Sequence, residues 1–503
     1  MIIKSQSGDS ASSPWFIFAV LWGSVAAASF LVSLLTTAPS PSFLTLAVSR
    51  PIYFAAAFLV VVSAFSRFTG RQFFDQLARR LFWVPLALLV GAVVAGVGAW
   101  NDGSGTVALP LPEALAFIGS LGIYPFQSGP EALLRGSVVA LIILSAWNLH
   151  KQAHVAWSKI AGVGALAWLG AAGVLLIQTW LAQVASWTRH IPIMQAQDAF
   201  QVLSLIHLDS YWSNFQADRF FATVGRQLEI NLALSSASLL FVLAAVWLFY
   251  QWLNARSLRW RDFLKLCCAQ PLPVILAGGL AGLSLGWKTH QLAWSAPDII
   301  SLGLGLVVFG LWYGFIFLKF SAEQSPDKSA LIILLALGSL LLGWPIAFLV
   351  LSLLALYWIY TEKLWRWSES KYGSAVHLAL MSAGSVLLAG TFAFRNATLS
   401  VSVFRAAAVW GILGALTALL ADQSMGNLKL ARYQLAGKYI FAATAGLLTA
   451  LLLRAPVVLA ALALWLLFLI WSQKRAEARP LSVLWSVLVF GWVSMLLAFF
   501  VKI

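Results

Sequence analysis

The sequence predicts an all-α, polytopic integral membrane protein of about 13–15 transmembrane helices arranged in two bundles. Three observations predict it. Of 503 residues, 61% are hydrophobic and 10% charged, with a mean hydropathy of +0.88. Soluble domains carry about 25% charged residues, so the bilayer has to serve as solvent for most of this chain. Apolar runs of span length recur from end to end, and Lys and Arg gather in alternate loops.

Runs of about 17–25 apolar residues suffice to span. They lie at 15–36, 48–66, 81–100, 133–150, 160–187, 231–253, 270–287, 298–318, 330–344, 345–360, 374–394, 402–421, 439–454, 456–473 and 481–501. The first, Trp15 to Thr36, is of full length without a strongly basic lead and reads as a retained helix. Between 101 and 129, Asn101-Asp102-Gly103 marks a turn, and Ala114 to Tyr124 is apolar but too short to cross, which predicts a re-entrant or interfacial helix. Gly343-Trp344-Pro345 predicts a tight turn between two spans. Many Trp fall at span ends, among them Trp15, Trp100, Trp187, Trp252, Trp287, Trp344 and Trp471, as an aromatic belt requires.

The longest segment unable to sit in a membrane is 188–230, where Arg189, His190, Asp198, His207, Asp209, Asp218, Arg219, Arg226 and Glu229 alternate with aromatics. It divides an N-terminal bundle of about five spans, residues 1–187, from a linking span and cytoplasmic loop at 231–261 and a C-terminal nine-span bundle at 262–503. With the N-terminus cytoplasmic, the inner loops hold 22 of the 32 basic residues and 9 of the 17 acids, a net of +13 against +2 outside. That places segment 188–230 and the C-terminus outside a bacterial-type inner (plasma) membrane. The net charge of +15 is thereby explained by topology, and no nucleic-acid partner is implied.

Candidate functional residues are few. Arg135, Arg395, Arg405 and Arg454 lie at outer span ends against the charge trend, and Arg189, Arg219 and Arg226 lie in the outer segment. Guanidinium forks suit a substrate phosphate or pyrophosphate, while snorkelling to headgroups is the simpler use of each. His150 and His154 share a helix face at i, i+4, but flanking Lys151 and Lys159 and the lack of a completing acid favour a polar loop over a metal site. His377 sits inside a span. It reads as a hydrogen-bonded helix histidine, with proton relay or haem ligation as the functional alternative. His190, His207 and Asp209 have nearby serines but no nucleophile elbow. Adjacent Cys267 and Cys268 give neither a disulfide framework nor metal spacing. No phosphate-loop, dinucleotide or zincin motif occurs.

From Asp262 onward the chain resembles the UbiA-type membrane prenyltransferases. The resemblance rests on nine spans, on the entry Pro271-Leu272-Pro273 into an apolar helix, and on the loops 319–328 and 422–438, which follow the second and sixth of those spans. It implies a site in which loop carboxylates hold Mg²⁺ against a prenyl pyrophosphate. Carried over, it makes Glu323, Asp327 and Asp422 the catalytic candidates. The loops depart from the family, whose first carries an Asn-Asp-x-x-Asp pattern and whose second carries two or more Asp, so the metal site is degenerate. Three functions follow as expectations: an enzyme acting on an isoprenoid or lipid-linked pyrophosphate substrate; a transporter or flippase; or a non-catalytic subunit of a membrane complex. The partners implied are the bilayer, such a lipid substrate, and other complex subunits.

Overall fold

The computed structural model describes residues 16–24, 26–27, 48–49, 51–69, 110–122, 129–153, 155–189, 220–255, 272–290, 296–320, 327–361, 371–391, 400–421, 443–449, 451–453, 458–474 and 480–497. Apart from a few turn and connecting residues these are helical, and no strand occurs among them. The all-α prediction therefore holds. Two helices, over Trp157–Leu175 and Leu234–Gln251, are long and apolar enough to cross a membrane, and nine more stretches are apolar but shorter, at 10–17 residues.

The helices are α1 (Pro51–Thr69), α2 (Leu111–Gly119), α3 (Gly129–Ala153), α4 (Trp157–Leu175), α5 (Ile177–Arg189), α6 (Phe220–Ala255), α7 (Leu272–His290), α8 (Ala296–Phe320), α9 (Asp327–Leu342), α10 (Trp344–Thr361), α11 (Lys371–Thr391), α12 (Val401–Ala421), α13 (Val458–Lys474) and α14 (Pro480–Met495). A further helical stretch covers 443–449. The predicted turn at Gly343 is present, with φ 125° at that residue between α9 and α10. Only glycine adopts that conformation without strain.

Two expectations need correction. The run 160–187 is not one helix: it breaks at Leu176 (φ −94°, ψ 19°), which separates α4 from α5. The run 231–253 starts earlier, because α6 is a single helix of 36 residues from Phe220. At 1.5 Å per residue it is about 54 Å long.

The chain forms two compact units. The first comprises Met1–Tyr250, Trp294–Ile300 and Glu323–Leu341, and the second the remainder. In the first unit Trp22 is fully buried, donates its indole N–H to the Val48 carbonyl at 2.9 Å and packs on Phe241 at 5.0 Å. Gly23 faces Ile333 and Leu337 of α9. α4 lies against α1 so closely that a Cβ on Gly170 would stand 2.7 Å from Val60.

The short helix expected near 114–124 is α2. Pro110 and Pro112 open it and Glu113 lies in its first turn, where a carboxylate complements the exposed N–H groups. It ends in a Schellman turn. The Gly122 N–H reaches the Phe117 carbonyl at 2.8 Å and the Leu121 N–H reaches Ile118 at 3.3 Å. Leu121 occupies the left-handed position, φ 55°, where glycine is the usual residue. Trp168 of α4 fixes the helix end by stacking on Phe117 (6.1 Å) and donating to the Ile118 carbonyl (2.9 Å).

The second unit is built around α11. On one side, Gly278, Gly282 and Gly286 of α7 sit one turn apart, and each faces α11 backbone: the carbonyls of Ser382, Val386 and Gly390. On the other, Gly411 and Gly414 of α12 face Ala383 and Ser382. The absence of side chains at these positions lets three helices approach backbone to backbone. Trp410 is fully buried beside them and donates its indole N–H to Met495 Sδ (3.0 Å). Trp465 stacks on Phe490 at 4.4 Å and 11°.

Candidate functional site

Two groups of buried polar side chains are tied across helices, one in each unit. In the first, Gln178 lies two residues past the break at Leu176. Its carboxamide N–H₂ donates to Tyr53 Oη of α1 and Ser236 Oγ of α6, both at 3.2 Å, and it is 7% exposed. Thr179, Gln183 and Ser186 continue the same face of α5, and Ser49, Ser235 and Ser236 are buried too. α5 is thus amphipathic in an inverted sense. Its Gln, Thr and Ser side chains are buried while Val184 and Trp187 are exposed, at 53% and 70%.

In the second unit, three helices bring aromatic and polar groups together. Trp312 of α8 donates its indole N–H to Ser385 Oγ of α11 (3.1 Å), and that hydroxyl donates on to the Met381 carbonyl (2.8 Å). Phe315 meets Tyr357 of α10 edge-on (4.7 Å), and the Tyr357 ring lies 5.7 Å from the ring of His377. His377 is 4% exposed. Trp312 and Phe315 lie near the end of α8, Tyr357 near the end of α10, and His377 near the start of α11, so three helix ends converge there.

Comparison with known proteins gives no match: no family model, no curated protein and no solved structure. The chemistry must therefore be read from the residues.

Of the three carboxylates singled out in the sequence, Asp327 is the first residue of α9, while Glu323 and Asp422 lie outside the described residues. Among the described residues no group of three or more His, Cys, Asp or Glu could hold a metal ion, so this part of the chain supplies no seat for a bridging Mg²⁺. Arg135 lies in α3, Arg189 ends α5, Arg226 lies in α6, and Arg405 lies half-buried in the second turn of α12; Arg219, Arg395 and Arg454 are outside the described residues. His150 closes the turn from α3 to α4, with its ring stacked on Trp157 at 4.3 Å and Nδ1 3.2 Å from the Val155 carbonyl. His154, with His190, His207 and Asp209, falls outside the described residues. The sequence singled out His377 as a polar residue within an apolar run. It gave no sign of Tyr53 and Ser236 as neighbours of Gln178, of Tyr357 as a neighbour of His377, or of Ser385 as the partner of Trp312, since these pairs lie 125, 58, 20 and 73 residues apart along the chain.

Proposed function

We propose that the chain is a polytopic protein of a bacterial-type inner membrane, with its N-terminus cytoplasmic and segment 188–230 outside. The observation that carries this reading is the exposure of large apolar side chains along the helices. Leu166 (63%), Phe348 (71%) and Leu464 (69%) are more exposed than any soluble surface of many such residues would tolerate. Exposed Trp147, Trp157, Tyr250 and Trp358 stand near helix ends, where an aromatic belt would meet headgroups.

Within the membrane, residues 262–503 are read as UbiA-like, acting on an isoprenoid or lipid-linked pyrophosphate substrate through a degenerate metal site. Support comes from the aromatic group of Trp312, Phe315 and Tyr357 on α8 and α10, apolar surface of the kind a prenyl chain would contact. Mg²⁺, where bound, would neutralise the departing diphosphate. Lipid mass spectrometry of a deletion strain tests this. Accumulation of a prenyl pyrophosphate or lipid-linked glycan is expected, with Asp422→Asn reproducing it for an inner metal site and Arg405→Ala for an outer phosphate site. An unchanged lipid profile in all three strains overturns the reading and favours a subunit of a membrane complex. A transporter or flippase is the second reading, favoured by the break at Leu176 beside Gln178, since transport sites are built at interrupted helices.

A further inference from the structure

The hairpin of α3 and α4 ends in exposed lysines set above exposed apolar side chains. We infer that this end of the hairpin binds an anionic phospholipid, with the phosphodiester against Lys151 and Lys159 and the acyl chains along the exposed sides of the two helices. On α3, Ile143, Trp147 and Lys151 are exposed and stand at i, i+4 and i+8, along one side of the helix over about 12 Å. On α4 the order runs the other way. Lys159, Leu166 and Leu169 are exposed, and Lys159 and Leu166, seven residues apart, share one side of that helix. Gly162 between them is exposed too, with nothing within 4 Å of its Cβ position, so an acyl chain can lie against the backbone there. The helices touch where Gly164 meets Ile142, and their turn is closed by His150, whose ring stacks on Trp157. Trp147 and Trp157, both exposed, stand beside the lysines, at the depth where headgroup gives way to chain. No Asp or Glu occurs from Ala132 to Gln197, so neither helix supplies the lysines with a carboxylate of its own. An ammonium is a compact cation with three donors and suits phosphate oxygens. In the proposed topology the turn is cytoplasmic, the side on which membrane-edge lysines attract anionic headgroups. The apolar surface below the lysines favours a lipid over free phosphate or an acidic peptide, which would use the cations alone.

This site rests on the membrane reading but not on the prenyltransferase reading. The test is photocrosslinking of the full chain reconstituted in phosphatidylcholine vesicles. A trace of phosphatidylglycerol with a diazirine in one acyl chain is compared with diazirine phosphatidylcholine of the same chains, and adducts are mapped to peptides by mass spectrometry. Between Ile143 and Leu169, phosphatidylglycerol is expected to label about 25-fold more than phosphatidylcholine, about fivefold for each lysine. Lys151→Gln with Lys159→Gln should bring that ratio near one, and Lys151→Arg with Lys159→Arg should keep it. Lys363→Gln with Lys429→Gln, which removes the same charge elsewhere in the chain, should also keep it. On the unaltered chain, about 1 M sodium chloride shortens the screening length to about 3 Å and should lower the ratio several-fold. Equal labelling by the two lipids, a ratio unmoved by salt or by loss of both lysines, or an equal fall in the Lys363 and Lys429 variant overturns the site. Collapse of the ratio in millimolar inorganic phosphate at constant ionic strength would show that phosphate alone is recognised and overturn the lipid assignment. A chain that stays in solution and does not enter the vesicles would instead overturn the membrane reading beneath it.

Discussion

Replacing Gly282 by alanine should destabilise the second unit, and the geometry says by how much. The added Cβ would collide with the Val386 carbonyl oxygen and lie 3.0 Å from Val386 C and Cα. These are backbone atoms in the middle of α11 and cannot rotate aside, so α7 and α11 must separate. Overpacking of this kind costs about 1–3 kcal/mol, against about 0.5–1 kcal/mol gained because alanine is the better helix former. Gly310 of α8 is the control, since nothing lies within 4 Å of its Cβ position and Gly310→Ala should gain that propensity term alone. The two variants should then differ by about 1–3 kcal/mol, or roughly 2–12 °C in melting temperature for a unit of this size. Thermal unfolding of the detergent-solubilised chain, followed by fluorescence-detected size exclusion, reads the difference. Gly282→Ala melting at or above Gly310→Ala would refute the packing argument.

Other consequences follow from single contacts. Gln178→Leu leaves the buried Tyr53 and Ser236 hydroxyls without their amide donor and should cost about 1–3 kcal/mol, measured as a fall in melting temperature; an unchanged value would mean that the tie contributes nothing. Leu121→Gly relieves a left-handed leucine that is 48% exposed and should stabilise by up to about 1 kcal/mol, seen as slower hydrogen exchange at the end of α2; faster exchange would show that the Leu121 side chain anchors that turn.

The elements legible in the sequence were those written in local chemistry. Long apolar runs specify helices, so α1, α3 and α7 to α14 fall where the hydrophobicity lies. Gly343-Trp344-Pro345 specifies a turn because only glycine accepts φ near 125° there. α2 was legible as an apolar stretch too short to span. The break at Leu176 was not, because Val174-Leu175-Leu176-Ile177 contains neither proline nor glycine and nothing local announces it. The role of Gly278, Gly282 and Gly286 was hidden for another reason. Their four-residue spacing is visible, but the partner helix lies about a hundred residues further on. Both buried polar groups depend on such distant partners. The candidate acids and arginines were chosen by charge alone; of those the structure describes, Asp327 begins α9, and Arg135, Arg189, Arg226 and Arg405 lie on four other helices.

Lipid contact with the exposed apolar faces is the defining feature of a membrane architecture. Spin labels placed singly at 166, 348 and 464, in a reconstituted full chain with Cys267 and Cys268 replaced by serine, measure this directly by collision with oxygen and with a water-soluble nickel chelate. Leu166, Phe348 and Leu464 positions should be open to oxygen, which concentrates in the bilayer, and shielded from nickel. Labels at these three sites that collide freely with nickel and little with oxygen would place the faces in water and contradict the membrane architecture.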